Sequence, residues 1–225
     1  MADLNLFPLF LSLRVAFTAT LFAILIGLPI AYYLNRSNGR TSDMIDTIIT
    51  LPVVLPPTVL GYYLLVLLGR QSSIGVLLEK HFHITIVFTP KGAVIAALVV
   101  SIPFLIKSAR SAFSTIDPSV IQAARILGRS EWNIFFTIMI PLAWRGIASG
   151  ITLAFARALG DFGATLMVAG SIPNQTMTMP IAIYDALLAG NRELANLLVI
   201  IMTTVSLIIL YMINRLDKKT SLKSR

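Results

Sequence analysis

Residues 116–142 read IDPSVIQAARILGRSEWNIFFTIMIPL, and the fold turns on how this stretch is punctuated. Asp117 is a good helix N-cap, and Pro118 brings a φ already suited to the first helical position. Gly128 is placed to end that helix, because glycine adopts the left-handed conformation without strain. Ser130 then caps a second short helix, with Glu131 favourably placed near its positive end. The reading is helix, glycine turn, helix, over about 117–133. The first helix carries Val120, Ile121, Ala123, Ala124 and Leu127, which are exposed unless something covers them. A short apolar helix of this kind either lies on lipid or seats in a partner.

The flanks decide the solvent. Of 225 residues, 56% are hydrophobic and 12% charged, where a soluble domain carries about 25% charged residues. Mean hydropathy is +0.84, so water is the wrong solvent for most of the chain. Crossing a bilayer takes about 20 mainly apolar residues. Five runs qualify: roughly Leu9–Leu34, Ile45–Leu68, Gly92–Ala112, Pro141–Val168 and Leu194–Leu216. The segments between them are expected to be short loops, and residues 1–225 a single all-α transmembrane domain. There is no cysteine, which removes disulfides, thiolate metal sites and cysteine nucleophiles. The two histidines, His81 and His83, exclude a histidine-rich metal site and read as ordinary loop residues.

A net charge of +8 raises nucleic-acid binding, but the charges sit between apolar runs and in the C-terminal tail. That is the distribution of loop charges that orient a membrane protein. With the N-terminus outside, the inner segments hold Arg36, Arg40, Lys107, Arg110, Arg125, Arg129, Arg215, Lys218, Lys219, Lys223 and Arg225. The outer segments hold Arg70, Lys80, Lys91 and Arg192, so the bias is eleven against four. The expected topology is therefore N-terminus outside and C-terminus cytoplasmic. Only Asp3 precedes Arg14, and no small-residue cleavage site follows a short apolar core, so a removed signal peptide is not expected.

Two spans carry unusual patterns. Pro52, Pro56 and Pro57 must bend or break the second. Irregular backbone in lipid is tolerated only against protein or a cavity, so this segment either lines a pathway or is kinked to fit a neighbour. In the fourth, Gly146, Gly150, Ala154 and Ala158 recur every four residues. They form a ridge of small side chains against which a helix of this chain or of a second copy can pack. Arg157 and Asp161 are four apart near the outer end and can pair, either as functional charges or as interfacial anchors.

QAARILG (122–128), nine residues, then Ile138, Met139, Ile140 and Pro141 resembles a signature of ABC importer permeases: E-A-A, three residues, G, nine residues, I-x-L-P. Ala123, Ala124, Gly128, Ile138 and Pro141 match in type and spacing. Gln122 stands where that family often has Glu, and Ile140 where it often has Leu. LPVVLPPTVLGYYLL (51–65) and ARALGDFGATLMVAGSIPNQTMTMPIAIYDALLAG (156–190) extend the likeness, over nearly all of residues 8–214, to the molybdate ABC transporter permease family. Some members carry an additional N-terminal helix, which this chain is expected to lack.

The resemblance implies an ABC-importer-type permease of the bacterial inner membrane, with about five transmembrane helices and a cytoplasmic coupling-helix segment. Gln122, Ala123, Ala124, Gly128, Ile138 and Pro141 would be its coupling residues, seated in a groove on a separate ATPase. It further implies a homodimer with the pathway at its interface, two ATPase subunits below, and an external molybdate-binding protein above. ATP and Mg would be bound by the ATPase, since no GxxxxGK[ST] loop occurs here and no glycine is followed by lysine. The chain itself would carry no cofactor, no catalytic residue and no metal.

A dianion should pass where hydroxyl donors or positive charge line the route without a deep trap. Thr58, Ser149, Thr152 and Thr165 are candidates, with Arg157 and Asp161 as the charged pair; such hydroxyls also commonly bond their own helix. Tungstate, sulfate or phosphate could use the same architecture. An ion-coupled secondary transporter would need acids deep in the bundle, and Asp161 alone lies within a span, near its end. An intramembrane serine protease built on Ser149 would need a base within reach, and His81 and His83 lie in the opposite outer loop.

Overall fold

The computed structural model describes residues 5–37 and 39–222, with backbone alone for 214 and 216–222. Asp3, Lys223 and Arg225 lie outside the described residues, as do the side chains of Lys218 and Lys219. The described residues form helices α1 (Phe7–Arg36), α2 (Arg40–Val54), α3 (Pro57–Leu68), α4 (Ser73–Phe82), α5 (Pro90–Ser114) and α6 (Pro118–Ile126). They continue with α7 (Glu131–Ile134), a π-helical turn (Phe135–Met139), α8 (Ile140–Leu159), α9 (Gly163–Ala169), α10 (Met179–Leu188) and α11 (Arg192–Leu222).

The centre is the trio α1, α5 and α8. Ala16 and Ala19 of α1 pack with Ala93 and Ala97 of α5 and with Ala158 and Leu159 of α8. At the other end Leu28 to Leu34 meet Leu105 to Phe113 and Ile134 to Ile147. The beginnings of α1 and α5 therefore share one end with the finish of α8, so α1 and α5 run one way and α8 the other. At the first of these ends alanine dominates the contacts, which lets backbones approach closely where lipid supplies no hydrophobic drive between helices. Outward faces are apolar, as at Phe10, Phe17 and Leu25.

Among the described residues, four helical stretches are long and apolar enough to cross a membrane: Phe7–Arg36, Pro90–Ser114, Glu131–Leu159 and Arg192–Ile213. The pair α2–α3 makes a fifth if counted as one span, bent by 116°. The proline run explains the bend. Residues preceding proline are pushed to extended conformations, and Leu55 (ψ 139°) and Pro56 (ψ 135°) adopt them. The pair still runs from one end of α5 to the other. Asp46 on α2 bridges Lys107 at 2.8 Å, while Leu60 on α3 packs with Ala96 and Val100.

Three expectations need correction. The fourth span is not Pro141–Val168: the helix runs Glu131–Leu159, breaks at 160–162, and resumes as the seven-residue α9. The helix capped by Ser130 is accordingly not a short separate one but the start of that span. Pro141 lacks an N–H and its ring crowds the preceding turn, and the wider π-helical winding just before it accommodates both. Nor are the intervening segments only loops. Residues 73–82 form α4, with His81 inside it and His83 at its left-handed end (φ 51°), and 163–188 contain α9 and α10.

Candidate coupling surface and membrane pathway

Asp117 caps α6 by accepting from the Ser119 N–H at 2.9 Å, and that bond holds its carboxyl below the ordinary aspartate range. Gly128 has φ +77° with nothing near its missing Cβ, as a left-handed helix stop requires. Ser130 accepts from the Asn133 N–H. Gln122, Ala123 and Gly128 are exposed, with Val120, Ile126 and Leu127, so this surface is apolar and uncovered.

Ala124 departs from the expectation. It is 6% exposed and packs inward among Phe113, Ile116, Ile134 and Phe135, with Ile121 half-buried beside it. Successive positions on a helix point about 100° apart, and here that turn carries the chain from Ala123 on the exposed face to Ala124 on the buried one. Ile138 and Pro141 also leave the surface. They lie about 11 and 15 Å along the helix from Glu131, at 1.5 Å per residue, inside the fourth span.

Sequence reading missed what holds the segment. Glu131 accepts from Tyr32 Oη at 2.6 Å and from Arg125 Nε at 2.9 Å, and pairs with Arg36. Tyr32 stacks among Phe113 and Phe135, with centroids 6.4 and 5.0 Å away. The available signal was an acid next to a helix cap. Arg125 stands only six residues earlier, but Tyr32 and Arg36 stand 99 and 95 residues earlier, beyond any local pattern.

The small-residue ridge packs within this chain, against α5. A Cβ on Gly146 would lie 2.3 Å from Ala112 Cβ, and one on Gly150 would lie 2.8 Å from Ser108 Cβ. Ala154 and Ala158 are buried on the same face. Ser108 seals the contact by donating to the Gly146 carbonyl at 2.8 Å.

The pathway candidates do not converge on one site. Thr58 and Ser149 are exposed, while Thr152 donates to the Ala148 carbonyl. Arg157 pairs with Asp161 at 3.3 Å, but Asp161 is buried rather than a surface anchor. Its other oxygen accepts from the Thr165 N–H at 2.9 Å and hydroxyl at 2.7 Å, which caps α9. A carboxylate at a helix N-terminus satisfies orphan donors and the positive dipole end together. Among the described residues, no group of three or more His, Asp or Glu is placed to hold a metal.

A bundle of long apolar helices, one span broken at prolines, and an amphipathic helix hung on a glycine turn define a polytopic transport subunit. The chain belongs to the family described as binding-protein-dependent transport system inner membrane component, whose model matches residues 23–222. It is thus a multi-pass inner-membrane protein. Its relatives include the molybdenum transport system permease protein ModB of Escherichia coli K12, 43% identical over 183 residues, covering 81% of this chain and 80% of that one. The ModB protein of Haemophilus influenzae is 38% identical over 214 residues, covering 93% of each. Among solved structures, the MetNI methionine ABC transporter in an inward-facing conformation matches with a TM-score of 0.71 at 17% identity, covering 94% of each chain. A bacterial ABC transporter that imports alginate matches at 0.72 and 16%, covering 93% of this chain and 79% of that one. These two share the fold.

Proposed function

We propose that this chain is the membrane-spanning permease subunit of an ATP-driven ABC importer, and that its cargo is molybdate. The observation that carries the reading is likeness at 38% identity or above, across most of each chain, to permeases named for molybdenum transport. The uncovered apolar face of α6 supports a separate ATPase as the energy source. The ATPase supplies ATP binding and Mg, and this chain supplies the route. Two copies enclose the pathway between them, two ATPases dock on the α6 ends, and an external binding protein delivers the oxyanion to the opposite end.

The N-terminus lies outside. Lysine and arginine counts favour this, and the Arg36 end of α1 touches the coupling segment through Glu131. Transport is alternating access: ATP shifts the equilibrium only because the inward- and outward-facing states bind it with different affinity. Thr58 and Ser149 are the pathway candidates on exposed faces, and Arg157 is an electrostatic guide held by Asp161. Tungstate or sulfate on the same architecture is the second reading.

Reconstitution of the chain with its ATPase and binding protein in vesicles tests the proposal. ATP-dependent accumulation of labelled molybdate is expected. Accumulation without the ATPase would contradict the ABC mechanism and favour an ion-coupled one.

A further inference from the structure

A push on α6 must reach the spans, yet α6 is lightly held. Of its nine residues only Ala124 is buried. A turn at 115–117 joins it to α5, and the glycine turn at 127–130 joins it to α7, with open space around Gly128. Free turns on both sides would let α6 tilt while the spans stay put. One side chain closes that gap. One Glu131 oxygen takes Arg125 of α6, and the other takes Tyr32 and Arg36 on the last turns of α1. Its own backbone opens the helix that becomes the fourth span. Beneath it Tyr32, Phe113 and Phe135 pack ring against ring, joining α1, α5 and the π-helical turn.

We propose that Glu131 is the positioning residue that makes α6 move as one body with the cytoplasmic ends of α1 and of the fourth span, which begins at α7. This rests on the reading of α6 as the ATPase-coupling helix. Charge-assisted bonds to guanidinium groups are directional, so the carboxylate fixes an angle as well as a distance. Side chains in these pairs are 41–42% exposed, and exposed ion pairs add little to stability. Loss of Glu131 therefore leaves the fold standing and removes the linkage. Displacement of α6 is then absorbed at Gly128 instead of reaching the fourth span. The π-helical turn that follows is the kind of local irregularity that recurs at functional sites.

The chain has no cysteine, so a single introduced pair can be spin-labelled in the assembled complex. Ser119→Cys marks α6 and Tyr33→Cys marks α1, both at exposed positions. With Glu131 present, the inter-label distance is expected to be the same without nucleotide and with ATP trapped. With Glu131→Gln, the two states should differ by about 2 Å or more. In parallel, molybdate taken up per ATP hydrolysed should fall about tenfold in Glu131→Gln and be partly restored in Glu131→Asp. An unchanged ratio in Glu131→Gln, or label distances that respond to nucleotide equally with and without Glu131, overturns the proposal. Failure of the parent complex to take up molybdate overturns the functional reading instead, and the label distances still decide the role of Glu131.

Discussion

Gly146 is a point of close approach between α8 and α5, and its replacement by alanine has a calculable consequence. The new Cβ would sit 2.3 Å from Ala112 Cβ. Carbon atoms in contact lie about 3.5–4.0 Å apart, so the helices must separate by about 1.5 Å or distort. Overpacking of this kind costs about 1–3 kcal/mol, partly offset by about 1 kcal/mol from the better helix propensity of alanine. At 2.3 Å the clash falls in the upper part of that range, about 2–3 kcal/mol, so Gly146→Ala should destabilise the protein by about 1–2 kcal/mol. Adding Ala112→Gly removes the obstructing methyl and leaves Ala112 Cα as the next atom, at an ordinary 3.5 Å. The double exchange also cancels the propensity difference, so it should return to within about 0.5 kcal/mol of the parent. Gly160→Ala, whose Cβ would meet its nearest atom at 3.5 Å, is the control. Unfolding in detergent micelles, followed by fluorescence of Trp132 and Trp144, measures all four proteins. A single variant as stable as the parent, or a double variant no better than the single, would refute the interlocking of α5 and α8.

Arg157→Ala strips the buried Asp161 of its ion-pair partner, and because Arg157 is 28% exposed the loss should be about 1–3 kcal/mol. Arg157→Ala with Asp161→Asn should recover most of it, and uptake should fall further in Arg157→Ala than in Arg192→Ala. Equal, small effects on uptake would reduce Arg157 to an anchor. Ala123→Asp should leave the isolated chain stable while weakening ATPase association, whereas Ala124→Asp, placing a charge in the core, should destabilise the chain itself; co-purification and thermal unfolding separate them. Asp117 has a folded pKa below its unfolded value, so its cap contributes above the ordinary aspartate range and is lost as pH falls through and below it. The protection factors of the α6 amides, which are exchange rates corrected for the intrinsic pH dependence, should therefore fall on acidification, and an Asp117→Asn chain should lack that dependence.

What the sequence made legible was local. Asp117, Gly128 and Ser130 mark their boundaries by cap chemistry alone, and the proline run at 52–57 announces a break because a missing N–H cannot be supplied elsewhere. The short helices α4, α9 and α10, of seven to ten residues, were not legible. A search tuned to bilayer-length runs merges α9 with the fourth span, because the apolar residues on both sides of Gly160 to Phe162 carry the run across the one charge at Asp161. The small-residue ridge was visible, but spacing names a face and not its partner; Ala112 and Ser108 had to be seen against it. The same limit hid Glu131. An acid beside a helix cap has a sufficient local explanation in the dipole, and nothing nearby points to Tyr32 and Arg36. Ala124 was misplaced because a shared motif was taken as a shared surface, although adjacent helical residues diverge.

The most direct test of the account is competition in reconstituted vesicles containing the chain, its ATPase and its binding protein. Labelled molybdate is offered with ATP, and unlabelled tungstate or sulfate is added in excess. The account predicts ATP-dependent uptake that tungstate, an oxyanion of nearly the same size and charge, suppresses and sulfate does not. Sulfate carried in place of molybdate would contradict the assigned cargo, and molybdate uptake that continues without the ATPase would contradict the mechanism.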